Sequence, residues 1–170
     1  MWRWAKGLAV APIVLSLSMG SAFASAATGQ ASGNGMSGQG NAVGFNAKAD
    51  LSGQFQYVSF DKAFMAHCSG YTFYKRYTSP RGYPIVDVHA TCTDQDGKTV
   101  YLEAYFLDRG EPGTRDAERI YFSYTYHFDL DENPDDLFIA DTYVITNGNI
   151  QILVDPSQPV EVNPVFGAGL

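Results

Sequence analysis

Carboxylates, histidine, cysteine and tyrosine are the residues of this chain that could do chemistry, and their spacing limits what that chemistry is. The densest acidic run is Asp129-Leu130-Asp131-Glu132-Asn133-Pro134-Asp135-Asp136. Oxygens at 129, 131 and 133 match the opening of a calcium loop. The match then breaks, because Pro134 stands where that loop needs glycine and Ala140 where it needs a bidentate glutamate. Asp129, Asp131, Asn133 and Asp135 are therefore an incomplete ligand set, read as a solvated acidic turn that requires no calcium. Asp108, Glu111 and Asp116 form a second acidic group in a turn-rich stretch, where aspartates more often bond their own backbone than a cation. The three histidines are too few and too scattered for a recognisable zinc site.

Catalytic signatures are missing. The chain has no G-x-S-x-G, no H-E-x-x-H and no glycine-rich phosphate loop. Glu103 and Glu118 are the carboxylate pair nearest to a glycosidase arrangement. Their numbering places them on opposite faces of one sheet, so no catalytic residue and no cofactor are assigned.

Tyrosine is the remaining candidate, with eleven in the chain. Tyr71, Phe73 and Tyr77 fall on one strand face. Tyr101, Tyr105 and Tyr121, with Arg119 among them, fall on the wetter face of two neighbouring strands. Exposed aromatic rows can stack on sugar rings or anchor a protein partner.

The elements that must position these groups are strands. Val100, Leu102, Ala104 and Phe106 alternate with Tyr101, Glu103, Tyr105 and Leu107. Ile120, Phe122, Tyr124, Tyr126 and Phe128 alternate with Arg119, Tyr121, Ser123, Thr125 and His127. A period of two marks half-buried strands, here joined by the loop Asp108–Asp116. Pairing Ala104 with Ile120 sets Tyr105 opposite Arg119 and Glu103 opposite Tyr121. Further strands are expected at Ala42–Ala49, Gly53–Phe60, Ala63–Cys68, Tyr71–Tyr77, Ile85–Cys92, Leu137–Ile145 and Ile150–Val154. Thr146-Asn147-Gly148-Asn149 is expected to separate the last two. About eight or nine short strands without a helix predict an all-β antiparallel β-sandwich, jelly-roll or Ig-like.

The ends read differently. Arg3 and Lys6 precede the apolar stretch Leu8–Leu17 and two small-x-small sites, so residues 1–24 are expected to be an export signal cleaved after Ala24 or Ala26. Residues 25–41, rich in Gly, Ser and Gln, are expected to be a disordered linker. Residues 42–155 form the domain and 156–170 a tail. Without the leader, nine basic residues face eighteen acidic ones, a formal charge of −9. That balance disfavours nucleic acid and anionic lipid.

Cys68 and Cys92 are the only cysteines. In an exported chain they are expected to form one disulfide. They lie symmetrically about the turn Ser79-Pro80-Arg81-Gly82, which would set them on one face of a hairpin. A bridge between two sheets also fits.

Three stretches, in order, carry a resemblance. Gly44-Phe45-Asn46-Ala47-Lys48 with Gly53-Gln54-Phe55-Gln56-Tyr57, the loop Asp108-Arg109-Gly110-Glu111-Pro112-Gly113 with Asp116 and Ile120, and Gly148-Asn149-Ile150-Gln151-Ile152 resemble the post-COAP type of small secreted bacterial β modules. The resemblance covers about Val43–Val154. It implies an exported all-β domain and no established reaction. The long Tyr71–Pro84 segment and the acidic Asp129–Asp136 insertion depart from that pattern. The resulting expectation is an extracellular, non-catalytic structural or binding module. Its alternative is a carbohydrate-binding module using the Tyr101, Tyr105, Tyr121 and Arg119 face. A cell-surface glycan or another extracellular protein would be the partner.

Overall fold

The computed structural model describes residues 29–37, 40–110, 115–130, 134–153 and 160–162. The leader at 1–24, Glu111, Asp131, Asn133 and most of the 156–170 tail lie outside the described residues. Ten strands are described: β1 Gln30–Ser37, β2 Ala42–Lys48, β3 Gly53–Ser59, β4 Phe64–Ser69, β5 Phe73–Thr78, β6 Pro84–Asp94, β7 Thr99–Leu107, β8 Ala117–Ser123, β9 Leu137–Leu153 and β10 Glu161–Val162. The fold is all-β and antiparallel but for the short parallel β5–β10 pair, as the alternation predicts.

The sheet is not a sandwich. It closes on itself in the order β1-β2-β3-β4-β6-β7-β8-β9, an eight-stranded barrel. Alternation distinguishes an inner from an outer face, and a sandwich and a barrel share that pattern. Closure depends on β6, which bonds β7 on one edge and splits the other. Its Cys92–Asp94 end pairs with β4 and its Pro84–His89 end pairs with β5. β5 and β10 thus hang outside the ring as a flap.

Three expectations are corrected by the pairing. The expected linker supplies β1, which pairs with β2 along one edge and β9 along the other. Its inward positions are Ala31, Gly33 and Gly35, so the strand has no hydrophobic signature. The small residues make room: a Cβ on Gly33 would meet the Phe45 ring at 2.8 Å, and one on Gly35 would run into Ile145. Next, Thr146–Asn149 does not end a strand. β9 runs through it, with a register shift against β1. Finally, β8 stops at Ser123, and Tyr124, Tyr126 and Phe128 leave the ladder.

The β7–β8 register is the expected one, with Ala104 opposite Ile120, Tyr105 opposite Arg119 and Glu103 opposite Tyr121. Aromatic rings fill the barrel. Phe45 stacks on Phe106 with centroids 3.7 Å apart, and Phe55, Tyr57 and Phe64 pack on Phe122. Such rings contribute both buried area and edge-to-face contacts.

Two carboxyls share this interior. Asp141 accepts hydrogen bonds from Asn41 Nδ2, at 2.7 Å, and from the Tyr57 hydroxyl. Glu118 lies in the inner row between Phe106 and Tyr143. It is fully buried, and neither carboxyl oxygen has a hydrogen-bond partner. Burial pushes its pKa up to about 8.

The disulfide joins Cys68 of β4 to Cys92 of β6, residues directly opposite in register with Cα atoms 4.2 Å apart. It is neither a hairpin staple nor a bridge between sheets. β4 and β6 are not consecutive, and they share only three residue pairs. The bridge stitches the ring at its shortest seam. Reduction is expected to destabilise the chain by about 3.5 kcal/mol in the chain-entropy model. Denaturant unfolding with and without reductant measures this; equal midpoints would show that the hydrogen bonds alone hold the seam.

Gly148 is the second fixed point. Its φ is 146°. A Cβ there would fall far inside contact distance of the Asn34 carbonyl and the Gly35 Cα on β1. Gly148→Ala is expected to cost about 1–3 kcal/mol from strain and the forced shift of β1. Wild-type stability in this variant would show that β1 is not held against β9.

Glu118 fixes a pH dependence. An acid whose folded pKa is raised stabilises the fold fully below its unfolded value of 4.5 and loses that contribution as pH rises to about 8. The slope is roughly 1.4 kcal/mol per pH unit through that window. Glu118→Gln is expected to flatten the fall in Tm over it. Identical slopes in the two proteins would show that the buried carboxyl is not kept neutral.

Candidate functional site

β6 is buried on both faces from Ile85 to Ala90. Val86, Val88 and Ala90 point into the barrel, while Ile85, Asp87 and His89 take the outer side. Glu103 stands on β7 directly across from His89. Register therefore gathers Asp87, His89 and Glu103 on one outer patch. One donor atom from each lies within 4.8 Å of the others. His89 Nε2 is 3.3 Å from Asp87 Oδ1 and 3.8 Å from Glu103 Oε1. All three residues are buried.

Two features bury them. Phe73, opposite His89 on β5, packs on the imidazole at 4.6 Å between centroids. Phe128 closes the other side at 5.1 Å. Phe128 belongs to the segment 124–130, which leaves β8 and packs its even-numbered residues against the barrel, Tyr124 at its end and Tyr126 and Phe128 on its outer wall. Tyr124 stacks on Phe138 at 4.5 Å and donates its hydroxyl to Asp94 Oδ2 at 2.8 Å. Tyr126 meets Tyr101 edge to face at 5.2 Å. Leu130 is buried and donates its backbone N–H to Glu103 Oε2. His127 Nε2 lies 2.6 Å from Asp136 Oδ2, which holds the far end of the segment.

Glu103 is thus doubly engaged, since Tyr105 also donates its hydroxyl to Oε1 at 2.6 Å. Burial alone would lower the pKa of His89, but Asp87, Glu103 and Asp129 outweigh it and hold it above the ordinary value.

The residues singled out from sequence fall partly here. Tyr101, Tyr105, Tyr121 and Arg119 all lie on the outer wall of β7 and β8, and all are half-buried. Their rings are not the most open ones. Tyr124, Tyr126 and Phe128 are 48%, 61% and 54% exposed. Asp129 joins the His89 patch through its charge, whereas Asp135 is exposed in the short helical turn Pro134–Asp136. Asp108 and Asp116 accept backbone N–H groups: Gly110 and Ile152 bond Asp108, and Arg109 and Ile150 bond Asp116.

Asp87 and His89 escape a motif search, though a signal exists. Two ionisable residues spaced i, i+2 interrupt an apolar strand on a single face. A strand that buries both faces has to give such residues partners. Finding Glu103 as that partner requires the β6–β7 register.

Comparison of the chain with family models, with curated proteins and with solved structures finds no match.

Proposed function

We propose that this chain is an exported, non-catalytic binding module whose ligand face is the outer wall of β6 and β7 with the 124–130 segment on it. The observation that carries the reading is the placement of the aromatic rings. Those inside the barrel pack on one another, while Tyr126 and Phe128 stay exposed on the outer wall over Tyr101 and His89, and Tyr124 stays exposed beside them at the barrel's end. Clustered exposed rings of this kind mark interaction sites. Two of the rings are anchored from behind, by Phe138 and by Tyr101, so little side-chain freedom is lost when a ligand covers them.

The ligand class we infer is a neutral carbohydrate. Flat rings present apolar faces to the C–H side of a sugar. The acidic composition argues against nucleic acid as the ligand. The buried disulfide suits an oxidising compartment, and the basic-then-apolar leader agrees with export. A protein partner anchored on the same rings is the second reading.

Glycan-array and polysaccharide-retention assays test the assignment. Tyr126→Ala is expected to weaken glycan binding about tenfold with little change in stability, because the ring is mostly outside the core. Retention of no glycan by the wild-type chain would sink the carbohydrate reading. Equal binding by Tyr126→Ala would remove this face as the site.

A further inference from the structure

We propose that Asp87, His89 and Glu103 form a binding site for one divalent metal ion of the zinc class. Separation of the donors is the first argument. Four-coordinate zinc takes nitrogen and carboxylate oxygen at roughly 2.0–2.2 Å, so adjacent donors around it stand about 3.3–3.6 Å apart. The Nε2–Oδ1 and Nε2–Oε1 separations are 3.3 and 3.8 Å. These are long for a strong hydrogen bond and close to the edges of a metal-centred tetrahedron.

The histidine supplies the second, independent argument. His89 is 7% exposed, and its Nε2 meets the Asp87 and Glu103 carboxylates at ion-pair distance without making a well-formed hydrogen bond to either. The atom is aimed between the Asp87 and Glu103 carboxylates. A buried ring nitrogen without a hydrogen bond is costly unless another group completes it.

Backbone and surroundings suit the assignment. All three donors project from two hydrogen-bonded strands, with Asp87 and His89 two residues apart and Glu103 across from His89. Tyr105 orients Glu103 by hydrogen bonding to it, as outer-shell groups do around metals. Phe73 and Phe128 enclose the imidazole and keep the patch dry. One nitrogen and two carboxylates leave a fourth position for water or a further ligand. Calcium is disfavoured, since it asks for six to eight oxygens at about 2.3–2.6 Å. The ion would bind β6 to β7 and, through the bond from Leu130 N–H to Glu103, would also order the 124–130 segment. The site stands independently of the carbohydrate reading.

Chelator-treated full chain titrated with zinc chloride in a calorimeter provides the test. One ion per chain and a raised Tm are expected. The isosteric Asp87→Asn and Glu103→Gln variants should each weaken binding at least about tenfold. His67→Gln, at an exposed position of β4 opposite Thr93 and outside the cluster, should bind like wild type. The proposal fails if the wild-type chain takes up no zinc at micromolar concentration. It also fails if both isosteric variants bind unchanged, or if calcium competes at equal concentration. Should the variants not fold, cobalt in the wild-type chain decides. Intense visible bands of four-coordinate cobalt support the site, and the weak bands of a six-coordinate ion overturn it.

Discussion

Strand β6 has two edges and three partners. β7 takes one edge along nine residue pairs, and the other is divided between β5 and β4. A strand can satisfy each backbone group only once, so β4 and β5 must separate along it. This division makes the barrel close, because β4 reaches β6 only over Ala66–Cys68. It also creates the flap whose Phe73 covers His89. The disulfide sits at the fork, where ladder bonds are fewest. A covalent link there replaces cohesion that a longer ladder would otherwise have to provide.

The division also explains why a small barrel has an interior on both sides of one strand. The inner face of β6 packs on the main core. Its outer face, with Leu107, Ala117, Tyr77 and Tyr105, builds a second apolar patch around Ile85. Ionisable groups on that outer face are buried by the same elements, which is how Asp87, His89 and Glu103 lose water without entering the barrel. Glu118 is the contrasting case. It points into the barrel itself, and its neutral form is the one the fold accommodates. The two glutamates of neighbouring strands thus meet opposite environments, as their face assignment requires.

Much of this was legible in the sequence. The period of two located β2 to β7 to within a few residues, and the register supposed for Ala104 and Ile120 is the one that forms. The cysteine pairing followed from their number and symmetry, although the turn at Ser79–Gly82 belongs to β5 and β6 rather than to a hairpin carrying both thiols. What was not legible was non-local. Nothing in Gln30–Ser37 announces a strand, because Gly33 and Gly35 contribute their smallness and the apolar groups they receive belong to Phe45 and Ile145. Gly148 looked like a turn for a related reason: glycine marks turns and close approaches alike. Tyr124, Tyr126 and Phe128 kept the right alternation for a strand, and only their packing on Phe138, Tyr101 and His89 shows that the ladder has ended. The Asp87, His89 and Glu103 patch was hidden in the same way, since its third member lies fourteen residues beyond His89.

Past Ile145, β9 outruns β8, and the N–H groups of Ile150 and Ile152 on that side receive side-chain carboxylates where a neighbouring strand would offer carbonyls. Asp116 and Asp108 thereby finish the sheet with side-chain acceptors. An edge whose N–H groups are already taken in this way gives a second polypeptide no template on which to add. The loop between β7 and β8 therefore acts as a terminator, keeping a barrel with one overlong strand from growing into a larger sheet.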